Sequence, residues 1–272
     1  MTSYGMTRSP SWHDDAQQQD FGGNRPAALC SGGLQKLSLV DFPGMVCATV
    51  FLRGCNLRCP YCHNPDLVLG SPDLPCIPEE ELLRFLESRR GFVDGVCVSG
   101  GEPTLEPGLP GFLTRVKALG FQAKLDTNGT RPDVLRQLLE CGLLDYVAMD
   151  VKAPPDKYRT VTRSQVDPCT VEESMRLLQH SEIDHEFRTT VVPGLVSAKD
   201  VEAIARWLQG AHRYVLQPYW PPRKTLDESW EKPPPCPHSH LERLARRIAQ
   251  LVARVEVRNP ARPPVDARLY PG

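Results

Sequence analysis

The sequence predicts an α/β fold, an open six-unit (β/α)6 partial barrel with parallel strands. Two observations carry that prediction. Six short apolar runs alternate with amphipathic stretches of helical period, the pattern of a parallel sheet with helices outside it. Each run also ends in polar or cysteine residues, at the strand ends where parallel α/β sheets keep their sites. Six units are too few for the eight-stranded closed barrel.

Taken in order, residues 1–30 are polar, with Gln17–Gln19 and paired glycines at 22–23, and read as a disordered tail. Cys30 within it reads as a stray thiol. Residues 31–272 read as one domain. Its strands are Val46–Leu52, Gly95–Ser99, Phe121–Asp126, Tyr146–Val151, Glu186–Val192 and Tyr214–Tyr219, rich in Val, Phe, Tyr and Leu. Between them the helical stretches are Pro78–Glu87, Gly111–Leu119, Pro132–Glu140, Thr170–Leu178 with a Thr170/Glu173 capping box, and Ala198–Gln209. A last helix, His240–Val252, sets Leu241, Leu244, Ile248 and Leu251 on one face, and Val255–Val257 is a candidate edge strand. The proline-rich segment 218–237, with Trp220 and Trp230, is either a linker, an ordered flap over the barrel mouth or a docking surface.

A chain of 272 residues with a net charge of −1 gives no argument for nucleic acid or for an anionic membrane. No apolar run approaches a membrane span, and the first thirty residues lack a secretory pattern. Ten cysteines without regular spacing in so long a chain point to a reducing compartment rather than a disulfide scaffold, so the expected location is the cytoplasm. Cys97 and Cys141 read as core residues.

The chemistry concentrates in Gly54–Pro65, GCNLRCPYCHNP. Cys55, Cys59 and Cys62 stand on one polar loop at spacings that let three thiolates hold three corners of an iron–sulfur cluster. Such clusters are normally tied by four cysteines, so a site with three invites an external fourth ligand. A structural zinc site, with four protein ligands, is the rival reading; three unconnected core cysteines are the bland one.

CxxxCxxC with an aromatic, Tyr61, before the last cysteine resembles the signature of the radical S-adenosylmethionine (SAM) enzymes. CNLRCPYCHNPDLV and the preceding LSLVDFPGMVCATVFLRG resemble, more narrowly, the activating enzymes of glycyl radical enzymes, above all those of anaerobic ribonucleoside-triphosphate reductase. The resemblance implies a [4Fe-4S] cluster on Cys55, Cys59 and Cys62, with SAM on the fourth iron and Tyr61 and His63 beside it. It implies a protein substrate, a glycyl radical enzyme whose glycine loses a hydrogen to a SAM-derived radical, and a flavodoxin or ferredoxin as electron donor. Pyruvate formate-lyase as partner, a small-molecule radical SAM enzyme of the deazaguanine synthase type, and a non-catalytic zinc module are the alternatives.

The remaining strand ends fit that reading. Gly100, Gly101 and Glu102 match the family's second motif, a backbone that approaches the methionine ammonium of SAM; alone they read as an ordinary turn. Asp126, Asp150 and Lys152 match positions that touch SAM and a monovalent cation; the bland reading is a solvated Asp150–Lys152 salt bridge. Arg188, Thr190 and Asn128 lie on the same rim without an assigned role. Where relatives carry a histidine near the end of the last strand, this chain has Tyr219-Trp220.

Overall fold

The computed structural model describes residues 29–232 and 234–258. The predicted tail lies outside the described residues, except at its end. There Cys30 opens a strand.

The elements run β1 (Cys30–Ser38), β2 (Cys47–Leu52), α1 (Pro65–Leu69), β3 (Ile77–Pro78), α2 (Glu79–Glu87), β4 (Gly95–Gly100), α3 (Leu109–Ala118), β5 (Gln122–Thr127), α4 (Pro132–Glu140), β6 (Tyr146–Asp150), α5 (Tyr158–Thr162), α6 (Pro168–Gln179), β7 (Asp184–Val191), α7 (Ala198–Trp207), β8 (Arg213–Pro218), α8 (His238–Ile248) and β9 (Arg254–Val257). They form one sheet in the order β3-β1-β2-β4-β5-β6-β7-β8-β9. The six predicted strands are its parallel centre, and β9 adds a parallel edge as expected. Among the described residues β3 and β9 are the two ends of the sheet and do not pair, so the barrel stays open.

The sequence reading missed β1, which runs antiparallel to β2 with Leu34 opposite Val50 and Ser38 opposite Cys47. Its two glycines disguised it. Gly32 is there for space, because a Cβ would come within 2.6 Å of Leu67 on α1 and 3.0 Å of Arg53. Cys30 is no stray thiol either: it is joined to Cys76 by a disulfide, with Cα atoms 5.4 Å apart. The β1–β3 pairing, Ser31 opposite Ile77, is what brings the two together.

Helix positions follow their apolar faces, with three corrections. α6 begins at Pro168, not Thr170: Asp167 caps it by accepting from the Cys169 amide at 3.0 Å, and the proline ring pre-sets the first turn. The reciprocal capping box sits instead on α7, between Ser197 and Asp200. α8 ends at Ile248, with Leu241, Leu244 and Ile248 buried and Leu251 only half-buried beyond its end. Cys97 is buried as expected, but Cys141 is exposed at the C-cap of α4.

A large apolar core fills the space between sheet and helices, each fully buried Leu or Val contributing roughly 1.5–3 kcal/mol. The other face of the sheet is different. Phe42, Cys47, Cys97, Tyr146 and Ala148 make a small separate cluster there. Alternation along β4 to β7 then carries Ser99, Asp126, Asp150 and Arg188 to the same side, nearer the strand ends.

Candidate active site

A cavity of about 220 Å³ opens at the C-terminal ends of the parallel strands, and all three cysteines of the loop line it. The loop is held at its start and in its middle. Gly54, at φ +80°, donates its N–H to Leu67 O at 2.8 Å and accepts from the Glu102 amide at 2.8 Å; Arg58 N donates to Thr162 O at 2.8 Å. Burial pushes the Cys55 thiol up to about 11 and Cys59 up to about 12, and raises Cys62 as well. These thiols are protonated at neutral pH, so a bound metal must displace their protons. Lys152, on the same cavity, favours the thiolates.

Among the described residues no group of three or more His, Cys, Asp and Glu is placed to hold a single metal ion. The three sulfurs instead lie along a cavity wall that has room beside it. That donor set suits a cluster whose irons are bound one cysteine at a time, with a corner left over for a second ligand.

The opposite wall is charged. Arg188 reaches between two carboxylates, its Nε 2.8 Å from Asp150 and its terminal nitrogen 3.3 Å from Asp126. Lys152 meets Asp150 at 2.8 Å, and buried Lys124 contacts Asp126, which also accepts from Ser99 at 3.0 Å. The salt bridge weighed as the bland reading of Asp150 and Lys152 therefore exists, yet both side chains face the cavity. Of the oxygens expected to hold a monovalent cation, Asp126 Oδ1 and both oxygens of Asp150 meet side-chain cations, and Asp126 Oδ2 meets the Ser99 hydroxyl. Two carboxylates here meet three positive charges.

Gly100 and Gly101 line the cavity, and only glycine fits. Gly100 has φ +120°, and a Cβ on it would lie 2.3 Å from Leu52 O; one on Gly101 would lie 1.9 Å from Gly54 O. Glu102 does not line it. Its buried carboxylate accepts from the Thr104 amide and hydroxyl at 3.1 and 2.6 Å, the Thr127 hydroxyl at 2.7 Å and the Asn128 amide at 2.6 Å. Four donors of this kind make it a brace between the ends of β4 and β5 rather than a cavity group. Burial raises its carboxyl in spite of them.

Tyr61 and His63 line the cavity on the cysteine side. Both rings pack on Tyr219, with centroids 6.3 and 5.8 Å away. Burial, and then the Lys152 charge, lower His63 to about 4, so its imidazole is neutral, and its buried Nε2 has no partner. Tyr219 replaces the expected histidine with a structural role: it is buried and donates its hydroxyl to Trp230 O. Residues 218–232 of the proline-rich segment thereby lie against the cysteine loop and its neighbours. Asp227 N donates to Pro60 O at 3.1 Å, Arg163 pairs with Asp227 at 2.6 Å, and Lys224 with Asp66 at 2.6 Å. Trp230 packs on the core, whereas Trp220 is exposed. Of the residues without an assigned role, Arg188 has its partners on other strands, and Asn128 meets the cysteine loop.

Residues 49–208 match the family model described as the radical SAM superfamily. A protein of Methanocaldococcus jannaschii assigned as a glycyl-radical enzyme activating enzyme is 34% identical over 236 residues, 85% of this chain and 96% of that protein. The pyruvate formate-lyase-activating enzyme of Clostridium pasteurianum is 29% identical, over 68% of this chain and 80% of its own. A 7-carboxy-7-deazaguanine synthase of Methanopyrus kandleri is 31% identical over 70% and 80%. Among solved structures, Streptococcus suis SuiB bound to its precursor peptide SuiA superposes with a TM-score of 0.58 at 13% identity. It covers 78% of this chain, which spans about half the SuiB chain (48%), and shows the fold alone.

Proposed function

The chain belongs to the radical SAM superfamily, and on that premise we propose that it is a glycyl-radical enzyme activating enzyme whose partner is an anaerobic ribonucleoside-triphosphate reductase. The observation that carries the reading is the cavity itself, with three cysteines on one wall and a net positive cluster on the other. Similarity to an activating-enzyme relative along 96% of that relative's length supports the choice within the superfamily.

Cys55, Cys59 and Cys62 would hold a [4Fe-4S] cluster, and Gly100, Gly101, Lys152 and Arg188 would seat SAM beside it. When bound, cluster and SAM together supply a one-electron reductive cleavage that generates a hydrogen-abstracting radical. The chain's own groups do the positioning. Lys152 offers an ammonium to a carboxylate, and Arg188, fixed by Asp126 and Asp150, keeps the charge wall rigid. Neutral His63 offers its free Nε2, and the flap with Tyr219 keeps water from that side. The gap between β3 and β9 admits a loop of a protein substrate that a closed barrel would exclude. The reading takes no monovalent cation at Asp126 and Asp150, whose oxygens Arg188, Lys124 and Lys152 already neutralise. It takes a flavodoxin or ferredoxin as donor and the cytoplasm as location; among the described residues no helix is long and apolar enough to cross a membrane.

The test mixes anaerobically reconstituted, reduced protein with SAM and the candidate reductase, followed by electron paramagnetic resonance. A glycyl doublet that needs all three components is the expected result. SAM cleavage without a doublet on any glycyl radical enzyme of the host would favour small-molecule chemistry, the second reading, which the 31% identity to a deazaguanine synthase supports.

A further inference from the structure

Asn128 follows β5 and is buried, 5% exposed, against the cysteine loop. Its side-chain carbonyl oxygen accepts from the Thr130 amide at 3.0 Å and the Thr130 hydroxyl at 2.7 Å. A backbone N–H can only donate, which fixes which end of the amide is oxygen. The amide nitrogen therefore faces the other way, with one hydrogen toward Asn56 Oδ1 at 3.0 Å and the other toward Cys55 Sγ at 3.8 Å. Asn56 in turn donates to the Thr130 hydroxyl at 2.8 Å, closing a ring of three side chains. Glu102 anchors the same turn through the Asn128 backbone at 2.6 Å. The Leu57 amide is a second donor to Cys55 Sγ, at 3.4 Å.

We infer that Asn128 is a positioning residue that raises the reduction potential of the cluster by presenting a locked N–H to the Cys55 sulfur, an inference that rests on the cluster reading above. Reduction by one electron adds negative charge that the thiolate sulfurs share. A donor aimed at one of them stabilises the reduced form more than the oxidised one, and hydrogen bonds to sulfur are among the determinants of these potentials. The closed ring means the donor is in place before reduction, so the reduced form gains it without reordering side chains. The brace at Glu102 then has a purpose in the chemistry although it never touches the cavity.

The test is the midpoint potential of reconstituted protein in a dithionite titration monitored by electron paramagnetic resonance. Asn128→Ala removes the donor, and Asn128→Asp turns an acceptor of similar shape toward the sulfur. The expected order of potentials is wild type, then Ala, then Asp, with a tenfold shift in the reduction equilibrium, about 59 mV for one electron, between the ends of the series. Equal potentials at full iron content would overturn the inference and leave Asn128 a brace. If both variants lose iron, wild type labelled with 15N at the asparagine side-chain amides decides instead. Pulsed resonance of the reduced cluster should then show nitrogen coupling; no coupling overturns the proposal. A wild type that binds no iron would overturn the cluster reading and this inference together.

Discussion

Lys152 and Asp150 are two residues apart and in contact, yet their loss should read differently. Lys152→Ala removes a charge facing the cavity and should weaken SAM binding by roughly 1–3 kcal/mol, about 5- to 150-fold, if a charge-assisted hydrogen bond is lost. Equilibrium binding of SAM to the reconstituted variant measures it, and an unchanged affinity would make Lys152 only a partner of Asp150. Asp150→Asn strikes stability instead, because Lys152 loses its counter-charge and Arg188 keeps only Asp126. The cost should be roughly 2–4 kcal/mol, toward the lower end for a buried pair since a quarter of Asp150 remains exposed. Burial works against the Asp150 charge, but Arg188 and Lys152 outweigh it and hold the carboxyl well below its ordinary 3.8. A carboxylate depressed on folding stabilises above its unfolded value and loses that contribution as pH falls toward the folded one. Denaturant titrations should therefore show wild type and Asp150→Asn far apart at pH 7 and converging as pH drops below 3.8.

Elements meet through backbone at the head of the site. The end of β4 lies against the turn that leaves β2, with the Glu102 amide on Gly54 O at 2.8 Å and the Gly101 amide on Leu52 O at 2.9 Å. Gly101→Ala would drive a Cβ to 1.9 Å from Gly54 O, and backbone on both sides leaves little room to yield. Stability should fall by at least the roughly 1–3 kcal/mol of an overpacked site, and iron retention should fall with it. Gly111→Ala is the counterpart in α3, exposed, with no atom within 4 Å of its new methyl. It should raise stability by about 0.5–1 kcal/mol through helix propensity. Thermal melts and iron assays of the two variants separate lost contact from glycine substitution as such.

Among the described residues the molecule is an open sheet, with residues 220–232 as a strap against its cysteine loop. The strap is tied by one backbone hydrogen bond to Pro60, by partly buried Trp230 with its core packing and Tyr219 contact, and by ion pairs whose Lys224 and Arg163 ends are half exposed. Such ion pairs are worth about 0.2–1 kcal/mol, far less than the apolar burial that holds β4 to β7, so the strap should open locally while the sheet stays folded. Hydrogen exchange should be faster across 220–232 than in β5 to β7. Asp227→Ala should speed it further while leaving the melting temperature within a degree or two. A strap that exchanged as slowly as β6 would be part of the core, and its proposed place as a cover would fall.

What the sequence by itself determined is what local pattern encodes. Alternating apolar runs and helical periods specified the parallel centre of the sheet, because burial on one face repeats with a fixed period in each kind of element. The spacing of Cys55, Cys59 and Cys62 specified one thiol-rich loop, because residues that close in the chain share it whatever the fold. Only the tertiary structure decided the rest. The Cys30–Cys76 pair depends on β3, an antiparallel partner of β1 that is distant in sequence, whereas β1 itself pairs with its neighbour β2 and was hidden by its two glycines. Glu102 turned from the cavity to the Asn128 turn because buried carboxylates go where donors converge; Thr104 supplies two of those donors locally, and the other two come from the end of β5. Arg188, on β7, settled the charge of Asp126 and Asp150 on β5 and β6. Contacts between strands far apart in the chain leave no periodic trace in it, and at this site they decide which polar groups are free to meet a ligand.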